Sequence, residues 1–510
     1  MMTSISRQTE ITLDTLLQGY VDDQYLLNLE ITGLTSNSKE VKKGNLFVAH
    51  AGLTRHAIDF VSDAIDAGAV AIIYDAYDSY NLQRIPLLEK QHAVSFIPVK
   101  DLQKKTGNIA SRFYAYPSRH FKLIGVTGTD GKTSVTHLLV QAFNRLNKKA
   151  GSVGTLGYGL SNNKLKMTHF TTPEAITLQS ILFELSLADC EYVVMEVSSH
   201  ALEQYREAGC EFDIAVLTNL GSDHLDYHID LDHYKAAKAR LFERQGLTGK
   251  VLNLDDEFGR QLISSNKGDN VIGYSVNDTN NQAIPLVTLV SSTMATKGLQ
   301  LCVSTPEGLI QIETGLIGDF NINNLLCCIS VLFQLGYRPE QIEQGMQGLQ
   351  PIPGRMEFFP SINEKPAVVI DFAHTEQALS ACLTSLKNYC EGRMVCIFGC
   401  GGDRDQSKRP KMAAVAEQLA DQVIVTDDNP RNESAEKIMR EILSGFNNPQ
   451  GVRVIHDREV AIETAMSGAS AKDLVVIAGK GHEQFQIIGN KRLPFSDHYV
   501  VKQIRKREAV

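Results

Sequence analysis

Short all-apolar runs alternate along this chain with longer stretches whose apolar residues recur at helical spacing. The runs Leu123 to Val126, Val193 to Val197, Ile214 to Leu217, Val368 to Ile370, Met394 to Phe398, Gln422 to Thr426 and Leu474 to Ala478 read as buried parallel strands. Asn45 to Ala49 and Val70 to Tyr74 read as strands around a helix over Ile58 to Ala67. Further helices are expected from Thr133 onward, over Tyr234 to Phe242, and after Gly318-Asp319-Phe320. Strand and helix in alternation predict an α/β fold with parallel sheets. The rigid stretch Pro351-Ile352-Pro353-Gly354-Arg355 reads as a linker. The expected organisation is a small α/β domain over residues 1–103, a central P-loop ATPase-type parallel-sheet domain over 104–352, and a Rossmann-like α/β domain over 353–510.

The strand ends carry the chemistry. Leu123 to Val126 leads through Thr127, Gly128, Thr129, Asp130 and Gly131 into Lys132 and Thr133, giving strand, glycine loop and helix. Glycines let backbone amides converge on an anion at the positive end of a helix. Lys132 adds a charge for the outer phosphates, and the Thr133 hydroxyl can reach a magnesium ion. Val126 stands where the usual phosphate-loop pattern has its first glycine, so this is a variant loop. Glu196 and His224 follow two of the strands and are natural magnesium partners for a nucleotide. Lys235 and Lys238, read alone, are a solvated basic face of their helix, and Ser36 to Lys39 a polar turn. In residues 353–510 four strands end in loops carrying Asp371 to His374, Gly399 to Asp405, Asp427 to Arg431 and Gly479 to Glu483. Such an edge suits a zwitterion: carboxylates for Arg404 and Arg431, an amine for Glu483 or Asp428.

Composition narrows the class. With 510 residues, 43% apolar and 21% charged, the chain has ample core for about three domains. A formal charge of −9 argues against a general nucleic-acid binder. No apolar run approaches a membrane span. The nine scattered cysteines lack zinc spacing and suit a reducing, cytoplasmic setting.

Jointly, the motifs resemble the Mur ligases. The resemblance rests on Gly128-Thr129-Asp130-Gly131-Lys132-Thr133, Thr171-Thr172-Pro173, Met195 to His200, Thr218-Asn219-Leu220, Asp223 to Asp226, Pro353-Gly354-Arg355, Asp371 to His374 and Gly479 to Glu483. It implies ATP-driven amide formation through an acyl phosphate on a UDP-linked muramoyl peptide, most like the member that adds the third residue. It implies nucleotide contacts from residues 127–133 with Asn321, Arg355 and Asp371, and Mg²⁺ held by Thr133, Glu196, His224 and Lys238, the lysine carrying a carbamate. Lys132, Lys238, His224 and Glu196 then form the catalytic set. Ser36, Ser38, Leu53, Thr54 and Arg55 would hold the uridine diphosphate, and Thr171, Thr172, Ser198, Gln204 and Arg206 the muramoyl dipeptide. Arg404, Gly479 and Glu483 with Asp428, Asn429, Pro430 and Arg431 would hold the added amino acid. The form Asp428-Asn429-Pro430-Arg431 resembles members that add meso-diaminopimelate rather than lysine, and a guanidinium suits the second carboxylate. The chain departs from the family pattern at Asn37 and Lys39 (usually Asp and Arg), at His56-Ala57 (usually Asp-Gly) and at Phe372 (usually Tyr). A monomer with small-molecule substrates is expected, with no nucleic acid and no membrane insertion. The rival readings are a lysine-adding homologue, a folylpolyglutamate synthetase and a non-catalytic nucleotide switch.

Overall fold

The structure is a computed structural model that describes residues 11–52, 55–160, 165–168, 170–221, 227–265, 270–277, 284–295, 298–362 and 364–507. It falls into two compact units. One comprises Met1–Thr127, Lys148–Ala215 and Ala237–Thr248; the other comprises Gly128–Asn147, Val216–Ala236 and Gly249–Val510.

In the first unit Ile11–Thr12 and Glu30–Ile31 form a short antiparallel pair. The strands Gly33–Thr35, Asn45–Ala49, Ala69–Asp75 and Ser95–Val99 pair in parallel, in chain order. Successive side chains on a strand point to opposite faces, and the core divides accordingly. Leu46, Val48, Ala71 and Ile73 face one cluster, while Phe47, Ala49 and Ile72 face another. The helix Leu102–Phe113 lays Leu102, Ile109, Ala110 and Phe113 on the first of these. The expected helix over Ile58 to Ala67 begins instead as a 3₁₀ turn, Ala57–Phe60, and becomes α-helical only over Val61–Asp66. Elsewhere in this unit Tyr192–Glu196 pairs in parallel with both Lys122–Thr127 and Ala150–Gly154, and Gly157–Gly159 returns antiparallel.

In the second unit Gly249–Asn253, Val271–Ser275 and Leu286–Ala295 run parallel, and Gly298–Thr305 and Gly308–Glu313 continue as an antiparallel meander. The helices Lys132–Arg145 and Phe320–Gln334 also belong here. A separate six-stranded sheet has the order Glu357–Phe359, Ala367–Asp371, Leu474–Ala478, Met394–Phe398, Gln422–Val425, Arg453–Val454. All are parallel except the first. Val369, Cys396, Phe398 and Val425 fill the core on one face; Val368, Ile370, Val395, Ile397 and Ile424 fill the other. Burial on both faces is why these strands read as unbroken apolar runs. All nine cysteines are free thiols.

Candidate active site

In the second unit the glycine loop runs into the helix Lys132–Arg145, with Gly131 at φ +83 as its first cap. Gly128 has φ +150, and a Cβ there would lie 1.8 Å from Thr218 Oγ1. Only glycine fits that crossing. The loop is braced from the end of the strand Ile214–Leu217. Thr218 Oγ1 donates to the Asp130 carbonyl (2.6 Å), Asn219 Oδ1 accepts from Asp130 N (2.9 Å), and the Asn219 carbonyl accepts from Thr129 N (3.0 Å). Lys132 Nζ folds back to donate to the carbonyls of Gly128 (2.8 Å) and Thr129 (2.7 Å). The result is a preformed anion cradle with a cation at its lip.

Asn321, Arg355 and Asp371, expected at the nucleotide, lie in this same unit. Arg355 Nη2 donates to Thr133 Oγ1 (3.3 Å), and its guanidinium sits 4.3 Å from the centre of the Phe372 ring. The Phe372 ring therefore gives Arg355 an aromatic platform. Asp371 accepts from Met356 N (2.8 Å) and Ala373 N (2.9 Å). Burial raises its carboxyl above the ordinary range, and Arg355 with the two amides offsets part of that rise. Burial, with Arg355, His137 and His374 next in order, pushes the His482 imidazole down to about 3. It is neutral at pH 7. Asn321 donates through Nδ2 to the Ile317 carbonyl (2.7 Å) and accepts from Asn324 Nδ2 (3.0 Å). Asp255 and Asp256, just beyond the strand Gly249–Asn253, are engaged locally. Asp256 accepts from Leu220 N (2.7 Å), and Asp255 from Ser275 Oγ (2.6 Å).

The C-terminal ends of the six-stranded sheet carry the second group. Gly479 N donates to the Asp371 carbonyl (3.1 Å), which fixes where the Gly479 to Glu483 loop begins. Asn429 Nδ2 donates to Glu483 Oε2 (2.8 Å). Arg431 adopts φ +53, donates from N to the Ile487 carbonyl (3.0 Å) and donates from Nη1 to the Gly402 carbonyl (2.7 Å). Arg404 Nη1 donates to the Asp403 carbonyl (2.9 Å). Burial first, and then the neighbouring Arg404 charge, lowers the Arg431 pKa. Among the described residues neither guanidinium forms a carboxylate ion pair. Two adjacent cations outside any such pair, with Asp428 and Glu483 near Arg431, can take an anionic group and an ammonium of one ligand together.

In the first unit the strand Tyr192–Glu196 delivers Glu196 fully buried. Its carboxylate accepts from Thr155 N (2.9 Å) and Thr155 Oγ1 (2.9 Å). Thr155 Oγ1 lies 3.1 Å from Thr171 Oγ1. Thr172 Oγ1 donates to the Glu196 carbonyl (2.9 Å) and accepts from Ser198 N (3.0 Å). Ser198 caps the helix Ser199–Glu203 by accepting from Ala201 N (3.2 Å). Arg206 donates to the Thr172 carbonyl (3.1 Å) and twice to Gln204 Oε1, and lies 4.3 Å from the Phe170 ring centre. One network thus joins Thr171, Thr172, Ser198, Gln204 and Arg206. Thr155, which no motif picked out, is its hub with Glu196; its place just beyond the strand Ala150–Gly154 is the signal that could have found it. Lys238, in the helix Leu231–Phe242, is only 1% exposed, which removes its reading as part of a solvated basic face.

Near the N-terminus Asn37 and His56 each cap a turn. Asn37 Oδ1 accepts from Lys39 N (3.2 Å) and caps the turn Ser38–Glu40 beside Ser36. His56 Nδ1 accepts from Ile58 N (3.1 Å), and its Nε2 lies 2.8 Å from Asp78 Oδ2. An imidazole here does what an aspartate would do as an N-cap. Arg55 is exposed, its carbonyl accepting from Gly52 N (3.0 Å). Leu53, Thr54 and His224 lie outside the described residues. Among the described residues no group of three or more His, Cys, Asp or Glu could hold a metal ion. No described helix is long and apolar enough to cross a membrane.

A braced glycine loop at a helix N-terminus, with charged loops on one edge of a parallel sheet, defines a phosphate-binding α/β protein. Comparison with known proteins gives the family. The Mur ligase family catalytic domain matches residues 30–114, the Mur ligase middle domain residues 126–332, and the Mur ligase glutamate ligase domain residues 354–481. The chain is 42% identical over 468 residues to the UDP-N-acetylmuramoyl-L-alanyl-D-glutamate–2,6-diaminopimelate ligase of Coxiella burnetii, covering 92% of this chain and 94% of that one. It is 43% identical over 469 residues to the same-named ligase of Ectopseudomonas mendocina, covering 92% and 93%. A solved structure of a ligase with that name superposes with a TM-score of 0.68 at 30% identity, covering 98% of this chain and all of that one. The chain belongs to the Mur ligase family.

Proposed function

We propose that this chain is the ATP-dependent ligase that joins meso-2,6-diaminopimelate to the D-glutamyl carboxylate of UDP-N-acetylmuramoyl-L-alanyl-D-glutamate. The observation that carries the amino-acid choice is the pair Arg404 and Arg431: among the described residues neither is in a carboxylate ion pair, and Asp428 and Glu483 lie near Arg431. Diaminopimelate has one carboxylate more than lysine, and a planar fork of donors is suited to it. The names of the relatives point the same way. Diaminopimelate addition thereby stands ahead of the lysine-adding and folate-type alternatives.

Lys132 and the amides of residues 128–131 hold the phosphates of ATP, with Arg355 and Asp371 at the nucleoside side. The glutamyl carboxylate oxygen attacks the γ-phosphorus; the bond to the β-phosphate oxygen breaks and ADP leaves. The amine of diaminopimelate then attacks the acyl carbon, loses a proton, and the tetrahedral intermediate expels phosphate. Lys132 offsets charge on the phosphoryl group as it moves, which is most of what phosphoryl transfer needs. Thr171, Thr172, Ser198, Gln204 and Arg206 hold the muramoyl dipeptide, and Ser36, Ser38, Leu53, Thr54 and Arg55 the uridine diphosphate. Holding the substrates in place makes the amine attack effectively intramolecular.

Hydroxyl and carboxylate donors suit Mg²⁺, and the buried Glu196 carboxylate with Thr133 fits that chemistry. Thr133, Glu196, His224 and a carbamate on Lys238 would hold the ion, which supplies charge neutralisation at the phosphates. A lysine buried to 1% exposure supports the carbamate, which replaces a cation by an anionic oxygen donor. The protein acts in the cytoplasm, as a monomer, on small-molecule substrates.

The test is ATP-derived phosphate release with the UDP-muramoyl dipeptide and each candidate amino acid. Release that depends on both is the expected result; release with a folate substrate instead would replace the reading.

A further inference from the structure

Lys480 is wholly buried, at 0% exposure, in the loop between Gly479 and Glu483. A buried ammonium is costly unless it is paired and hydrogen-bonded. Its Nζ donates to Glu483 Oε2 (2.7 Å) and to Asn429 Oδ1 (3.0 Å). Asn429 closes the triangle, donating from Nδ2 to the same Glu483 Oε2 (2.8 Å). Asn429 is itself 2% exposed, and its Oδ1 also accepts from Ile487 N (3.0 Å). One ammonium therefore ties together three segments: its own loop, the Asp427 to Arg431 loop, and the hairpin strand Phe485–Ile488. Arg431 is held by the same hairpin, through Arg431 N to the Ile487 carbonyl and Gly489 N to the Arg431 carbonyl (2.7 Å).

The arrangement divides the labour of the Glu483 carboxylate. Oε2 takes both protein donors, while the side chain remains 22% exposed. The other oxygen, Oε1, is left for a ligand.

We propose that Lys480 is a positioning residue of the amino-acid site: its buried ammonium anchors Glu483 through Oε2, so that Oε1 is presented as an anionic acceptor to an ammonium of the incoming amino acid. This rests on the reading of the sheet edge as the amino-acid site. Lys480 acts through Glu483 and touches no substrate.

The test uses the full chain and three variants: Lys480→Met, Glu483→Gln and the double variant. KM values for diaminopimelate, ATP and the UDP-muramoyl dipeptide are read from phosphate release. Lys480→Met should raise the KM for diaminopimelate about tenfold or more, the scale of one lost charge-assisted contact. The other two KM values should stay within about twofold, a split that general destabilisation would not produce. The double variant should match Glu483→Gln alone, because the two residues act as one unit. It leaves neither charge unpaired, so that comparison stands even if Lys480→Met alone does not fold. Effects that multiply in the double variant, or an unchanged diaminopimelate KM in Lys480→Met, would overturn the role given to Lys480 alone. An unchanged KM in Glu483→Gln would overturn the amino-acid site itself, and this inference with it.

Discussion

At the scale of single residues, the account turns on a few charged groups whose burial sets their use. Arg431 is half-buried beside Arg404, and burial first and then that neighbouring charge raise the cost of its own charge. Arg431→Ala is therefore expected to raise the KM for diaminopimelate by about 10- to 100-fold, one to two tenfold steps of lost pairing, with the KM for ATP little changed. Arg431→Lys should recover only part of this, since a point charge lacks the fork. Equal rises in both KM values would show that Arg431 serves the fold rather than the ligand. Lys238→Ala should cut kcat severely, and added formate or acetate should restore part of it by supplying an oxygen anion; a variant with near-normal turnover would remove the carbamate from the account. Most of these positions were legible in the sequence because they stand in motifs at strand ends. Thr155 was not, since a threonine directly after a glycine carries no pattern of its own. Its role appears only when the fold brings its amide and hydroxyl to Glu196. Lys238 shows the opposite limit: its helix spacing reads as a wet basic face, and only burial shows otherwise.

At the scale of elements, the loops are fixed by backbone crossings and by clasps beneath them. Gly354, at φ +67, passes so close to the Gly479 to Glu483 loop that an added Cβ would lie 2.1 Å from His482 N. Gly354→Ala should cost stability by about 1–3 kcal/mol through backbone strain and displace Arg355. Thermal unfolding and the ATP KM read the two effects, and a variant unchanged in both would contradict the crossing. A second clasp lies under the Arg404 loop. Buried Arg409 donates to Glu433 (2.9 and 3.0 Å), to Glu441 (2.5 Å) and to the Gly401 carbonyl (3.0 Å), and Glu433 accepts from Asp403 N (2.6 Å). Arg409 first, and the Asp403 amide and Lys437 further down, hold the Glu433 carboxyl at about 2. A depressed carboxyl contributes stability above its unfolded value, near 4.5, and loses it as pH falls through about 2. Glu433→Gln should therefore melt lower than the parent chain at pH 7, with the gap closing between about pH 4.5 and 2; a gap independent of pH would exclude the charge as its cause. Strands were the most legible elements: Ile214–Leu217, Met394–Phe398 and Leu474–Ala478 have the bounds their apolar runs predict. The start of the helix after His56 was not, because a 3₁₀ turn and an α-turn share apolar spacing over four residues.

At the scale of the whole molecule, family and chemistry were readable because strand ends collect motif residues whatever the sequence between them. The six-stranded sheet places four loops along one edge, as its apolar strands and charged ends together require. What the sequence could not show is how those loops are held. Buried polar contacts such as Lys480 with Glu483 join residues from separate loops, and no local pattern encodes such a pairing. The clasp beneath the arginines and the anchor on Glu483 both fix side chains before a ligand arrives, and preorganisation lowers the cost of binding a flexible zwitterion.

The central claim is that this chain joins diaminopimelate, rather than lysine, to the UDP-muramoyl dipeptide at the expense of ATP. Phosphate release with that dipeptide, compared between meso-diaminopimelate and L-lysine, tests it most directly. The account predicts strong release with diaminopimelate and little with lysine. Strong release with lysine would contradict the part given to Arg404 and Arg431, and release with neither would contradict the ligase reaction itself.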